Sequence, residues 1–74
     1  MNIIRHQQFS LAACRVNAGK TQSDTAKYMR VSKQTVSNWE NGTTTPDLRQ
    51  SRKLADYYEI PLDYIFLPDE SNNI

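Results

Sequence analysis

A chain of 74 residues has room for one small core, and no apolar run in it comes near the roughly 20 residues that a membrane-spanning helix needs. A single cysteine, Cys14, and a single histidine, His6, exclude an internal disulfide and a Cys/His zinc cluster, and they leave no nucleophile with a base beside it. The net charge of +1 conceals an asymmetry: residues 20–53 set seven bases against Asp24, Glu40 and Asp47, whereas from residue 54 onward five acids stand without a base, as expected of one face turned to a polyanion and another turned elsewhere.

Helical punctuation recurs along the chain and β-branched alternation does not, so the expectation is all-α, five short helices and no sheet. The first spans about residues 8–18, with Leu11, Cys14 and Ala18 at helical spacing and Gly19 as a left-handed stop. Thr21 caps the second, and Asp24 returns the bond three residues on. That helix buries Ala26 and Met29 and runs to about Met29. Ser32 caps the third, which ends at Asn41 before Gly42. Thr45 caps the fourth, with Pro46 at its first helical position and Leu48, Leu54, Ala55 and Tyr58 turned inward. A fifth, about Leu62 to Phe66, closes the core with Ile60, Leu62, Ile65 and Phe66. Residues 1–68 thus read as one domain and 69–74 as a frayed tail.

The third helix is unusual in the kind of polarity it carries. At about 100° per residue, Lys33, Gln34, Ser37, Asn38 and Asn41 fall within one arc of roughly 140°, opposite Val36 and Trp39. Every one of the five can donate a hydrogen bond and none is a carboxylate. A solvated helix has no need of that restriction. A duplex does, because the major groove presents donors and acceptors that amides and lysine match, while phosphates repel glutamate. A short helix, a tight turn and a capped helix are also the proportions of a helix-turn-helix, whose second helix enters the groove amino end first.

The stretch TQSDTAKYMRVSKQTVSNWENG resembles the Cro/C1-type helix-turn-helix of lambda-repressor-like regulators, the XRE-like family, and the likeness extends from about Leu11 to Phe66. Gln22 opens the motif, Ala26 lets the two helices approach, and Val31 and Val36 fill the turn. The resemblance implies base contacts from Lys33, Gln34, Ser37 and Asn38. It implies phosphate contacts from Gln22, Thr35, Asn41 and Thr43, with Thr21, Thr44 and Arg30 as further candidates, and it sets Gln22 against Gln34. Arg15 and Glu40 stand where relatives pair helix one with helix three. Arg30 and Glu59 replace glycines, so Arg30 must accept a left-handed or otherwise unfavourable backbone, and Thr25 and Ser51 replace leucines, which thins the core.

Other signals lead elsewhere or nowhere. AGKT at 18–21 lacks the first glycine of a phosphate loop and any strand before it, and NGT at 41–43 reads as a helix cap. Tyr57, Tyr58 and Tyr64 fit core and partner contacts better than a stacking platform. The expectation is a cytoplasmic, non-enzymatic regulator without cofactor or metal, since MNIIRHQQF has too short an apolar stretch for a secretory signal. Its partners would be double-stranded DNA and a second copy, met through Tyr64, Ile65 and Leu67. The alternative is a protein-interaction module on the same fold, an antitoxin or regulator antagonist working through the acidic end.

Overall fold

A computed structural model describes residues 8–66. The expected tail and Leu67 lie outside the described residues. In chain order the elements are β1 (Phe9–Ser10), α1 (Leu11–Asn17), α2 (Gln22–Met29), α3 (Lys33–Asn41), α4 (Leu48–Tyr58), a 3-10 turn (Leu62–Tyr64) and β2 (Ile65–Phe66).

Each helix begins where a side chain takes up the free amides of the first turn. Ser10 is extended and its hydroxyl accepts from the Ala13 N–H at 3.0 Å, so α1 starts at Leu11, three residues later than expected. Thr21 and Asp24 form the reciprocal box of α2, at 2.9 and 3.0 Å. Ser32 accepts from the Thr35 N–H at 3.0 Å. Stops are equally local. Gly19 and Gly42 take positive φ, and a Cβ at Gly19 would meet nothing within 4 Å, so the backbone conformation and not space selects glycine there.

Two expectations are corrected at α4. Its cap is Asp47, whose carboxylate accepts from the Gln50 N–H at 2.7 Å while the Gln50 side chain accepts from the Asp47 N–H at 2.9 Å; Thr45 is not the cap, and Pro46 precedes it, buried. A carboxylate with a glutamine three residues on satisfies two amides, which a lone threonine hydroxyl cannot. Leu48 is then the first helical residue, about 70° from the centre of the stripe made by Ser51, Leu54, Ala55 and Tyr58. It is exposed and not core.

The fifth helix is also corrected. Four α-helices are present among the described residues, and the chain after Pro61 makes a single 3-10 turn before Ile65 and Phe66 extend and pair in parallel with Phe9 and Ser10. Pro61 brings no side-chain cap, and the β-branched and aromatic residues that follow prefer an extended backbone. The expectation of no sheet fails on these two-residue strands, which are too short for alternation to register.

Leu11, Cys14, Ala26, Met29, Val36, Trp39, Leu54, Ala55, Tyr58 and Ile65 form the buried cluster, with Val31, Ile60 and Leu62 half-buried against it. Thr25 and Ser51 lie inside it too. Thr25 accepts from the Tyr58 hydroxyl at 3.2 Å, and Ser51 donates to the Pro46 carbonyl at 3.5 Å, so neither replacement of leucine leaves a bare hydroxyl in the core. On the flank, Tyr28 and Tyr57 stack at 4.1 Å between ring centroids, 13° from parallel, with the Lys53 ammonium over the first ring and that of Lys20 over the second. With the inner ring faces against each other, both cations occupy outer faces, and the column fastens α2 to α4.

Candidate nucleic-acid interface

Burying Val36 and Trp39 against the other helices fixes which side of α3 faces out. Lys33, Gln34 and Asn41 are exposed there, and Ser37 and Asn38 are half-buried. Gln34 Nε2 donates to Asn38 Oδ1 at 3.0 Å, one turn along the helix. That bond commits one amide group of each side chain and leaves the Asn38 amide nitrogen, a donor, and the Gln34 carbonyl, an acceptor, for other partners.

The groups expected at phosphates gather at the ends of α2 and α3. Thr43 and Thr44 are exposed, and their N–H groups donate to the Asn38 carbonyl at 2.9 and 3.3 Å, wrapping the chain around the carboxyl end of α3. Thr35 engages the Ser32 hydroxyl at 2.9 Å, and Thr21 is committed to its capping box. Arg30 does take the left-handed backbone, at φ 61° and ψ 44°, with its side chain exposed at the turn between α2 and α3.

Arg15 and Glu40 meet at 2.7 Å between Nε and Oε2, with a second contact of 3.3 Å from Nη2 to Oε1. The Glu40 side chain is only 8 % exposed. Arg15 Nη1 also donates to the Lys20 carbonyl at 2.9 Å, so one guanidinium ties α1 to the α1–α2 turn and to α3. The hydrogen bond to Glu40 raises the Arg15 pKa further above its ordinary value.

Gln22 differs from expectation. Its amide nitrogen donates to Glu40 Oε1 at 3.0 Å, and the side chain that pairs with Gln34 is Asn38. Residue types cannot foretell this, because Gln22 and Glu40 stand 18 positions apart and meet only through the crossing of α2 and α3. The Tyr28–Tyr57 stack and the Tyr58–Thr25 bond are likewise products of packing, without a spacing that announces them. The dimer candidates also change: Ile65 is buried in the protomer's own core and unavailable to a second copy, whereas Tyr64 is half-buried.

Among the described residues no helix is long and apolar enough to cross a membrane. Compared with curated proteins as whole sequences, the chain matches none. The Helix-turn-helix family model matches residues 11–65, from the first residue of α1 to the first of β2. With most of its length inside that match and with α2, a left-handed turn and α3 arranged as described, the chain belongs to the Cro/C1-type, XRE-like helix-turn-helix family of DNA-binding domains.

Proposed function

We propose that the protein is a sequence-specific transcriptional regulator that inserts α3 into the major groove of double-stranded DNA and represses by occluding the promoter. The observation that carries this reading is the outer face of α3, where Gln34 and Asn38 are hydrogen-bonded to each other and Lys33, among the described residues, makes no ion pair with a carboxylate. The paired amides suit the N6 and N7 edge of adenine, and Lys33 in the first turn suits the acceptors of guanine. Thr21, Gln22, Thr35, Asn41, Thr43, Thr44 and Arg30 would hold phosphates, which supply most of the affinity, while Lys33, Gln34, Ser37 and Asn38 choose the sequence. A homodimer on an inverted repeat, with half-sites about 34 Å apart, would double both terms.

Selection of duplexes from a random pool tests this directly. The expected product is a short half-site repeated with two-fold symmetry. Lys33→Ala should relax preference at particular bases, and Arg30→Ala should weaken binding to every sequence alike and lower the salt dependence by about one ion. A second reading draws on Asp56, Glu59 and Asp63, all exposed toward the end of the chain: an interaction module holding a basic protein partner. Loss of a protein partner in charge-reversal variants of these three, with no enrichment of any duplex, would favour it.

A further inference from the structure

We infer that Glu40 is a positioning residue for duplex binding: its carboxylate orients the Gln22 amide so that one amide proton rests on Glu40 and the other is delivered to a DNA phosphate. The inference rests on the duplex-binding reading above and adds to it the group that aims the contact. Gln22 is the first residue of α2 and is half-exposed. Its side chain ends in a donor and an acceptor that could face either way. A carboxylate only accepts, so the 3.0 Å bond to Glu40 Oε1 selects the orientation with nitrogen inward. That nitrogen carries two protons and Glu40 takes one; among the described residues the Gln22 side chain makes no other hydrogen bond.

Glu40 is itself immobilised by Arg15 through two contacts, and Arg15 is anchored on the Lys20 carbonyl one residue before the α2 cap. The guanidinium also offsets the carboxylate's charge, which would otherwise oppose a phosphate nearby. With Glu40 absent, the amide is free to turn its carbonyl toward the phosphate, placing acceptor against acceptor. Arg15, Glu40 and Gln22 thus form a relay from the interior to the DNA backbone.

The test combines side-chain amide NMR of the free protein with titration of a short mixed-sequence duplex. In the free protein the two Gln22 amide protons should differ strongly in shift and exchange, and Glu40→Gln should collapse the difference. Gln22→Ala should weaken duplex binding about tenfold in the native background and less than about twofold in the Glu40→Gln background, because the contact is already mis-aimed there. Should Glu40→Gln fail to fold, Glu40→Asp keeps the charge on Arg15 but withdraws the carboxylate from Gln22 by one methylene, and the same non-additivity is expected. Equal tenfold losses in both backgrounds overturn the inference alone. A native protein that binds no duplex at any salt concentration overturns the duplex-binding reading and the inference with it.

Discussion

Two polar clusters occupy this small interior and answer the same difficulty in opposite ways. Arg15, Glu40 and Gln22 form a charged cluster at the edge, where α1, α2 and α3 meet and the proposed phosphate contacts begin. Tyr58 and Thr25 form a neutral pair joining α4 to α2 across the core. A charge withdrawn from water demands every one of its partners, so the first cluster fixes the relative placement of three helices and tolerates no loss. A hydroxyl pair asks for one bond and can be replaced as a unit by apolar groups of the same shape. The helix-turn-helix is therefore held rigidly at the edge where α1, α2 and α3 meet and more forgivingly from behind.

Breaking the charged cluster should have the largest effect. Arg15→Ala or Glu40→Ala leaves a partly buried charge unpaired and is expected to cost up to about 3 kcal/mol, a large share of the stability of a small domain, while joint replacement by apolar residues costs less. Urea unfolding of the two single variants and the double variant measures this. Singles that cost no more than the double would contradict the requirement for complete pairing.

Alkaline unfolding sharpens the contrast, because the neutral cluster titrates. Burial, the largest cause, pushes the Tyr58 pKa up to about 12. An unfolded tyrosine loses its proton near pH 10, so between about pH 10 and 12 the unfolded chain has released a proton that the folded chain retains. Stability contributed by the neutral phenol is complete below about pH 10 and falls as pH rises, by at most about 3 kcal/mol. Tyr58→Phe should abolish that slope and cost about 1 kcal/mol at neutral pH, where Thr25 loses its donor. Tyr58→Phe with Thr25→Val should recover part of the loss. An unchanged slope above pH 10 in Tyr58→Phe would show that the Tyr58 phenol is not its source.

A smaller effect is expected at the α2 cap, which is exposed and belongs to neither cluster. Hydrogen bonding from the Thr21 backbone, the largest cause, holds the Asp24 carboxyl below its usual range. Its contribution is present above the unfolded pKa, near 4, and is lost as pH falls through the lower folded value. Thr21→Ala should cost about 1 kcal/mol at neutral pH. Asp24→Asn should flatten the acid limb of the stability profile, and a steep limb surviving in that variant would place the acid sensitivity elsewhere.

Features settled within four residues are legible in the sequence itself. The Thr21–Asp24 box, the Ser32 cap, the glycine stops and the left-handed turn at Arg30 are each a contest between adjacent groups, and the apolar spacing along α1 and α3 names the buried face directly. Legibility failed where two local solutions competed or where partners lay far apart. Thr45 and Asp47 both qualify as caps, and Gln50 decides between them; the choice moves the start of α4 and leaves Leu48 in water. The β1–β2 pair joins residues 9 and 65 through two-residue strands. At the interface, the donor-rich face of α3 was visible by type, but the partners of Gln22 and Gln34 depend on helix crossing and rotamer, which residue spacing does not encode.

The smallest predicted effects separate constraint from use at two matched positions. Arg30 closes α2 at φ 61° and Glu59 closes α4 at φ 58°, both in the left-handed region that disfavours a side chain by about 1 kcal/mol. The backbone cost is the same, so stability alone cannot distinguish them: Arg30→Gly and Glu59→Gly should each stabilise the fold by up to about 1 kcal/mol in urea unfolding. Duplex binding should distinguish them. Arg30 stands at the turn that leads into α3, so glycine there should lower affinity for all sequences and reduce the salt dependence by about one ion, whereas glycine at Glu59, at the far end of α4, removes an acid and should leave affinity unchanged or slightly higher. If both variants gained stability and bound duplex as the native protein does, Arg30 would be a tolerated cost of sequence and not a phosphate contact.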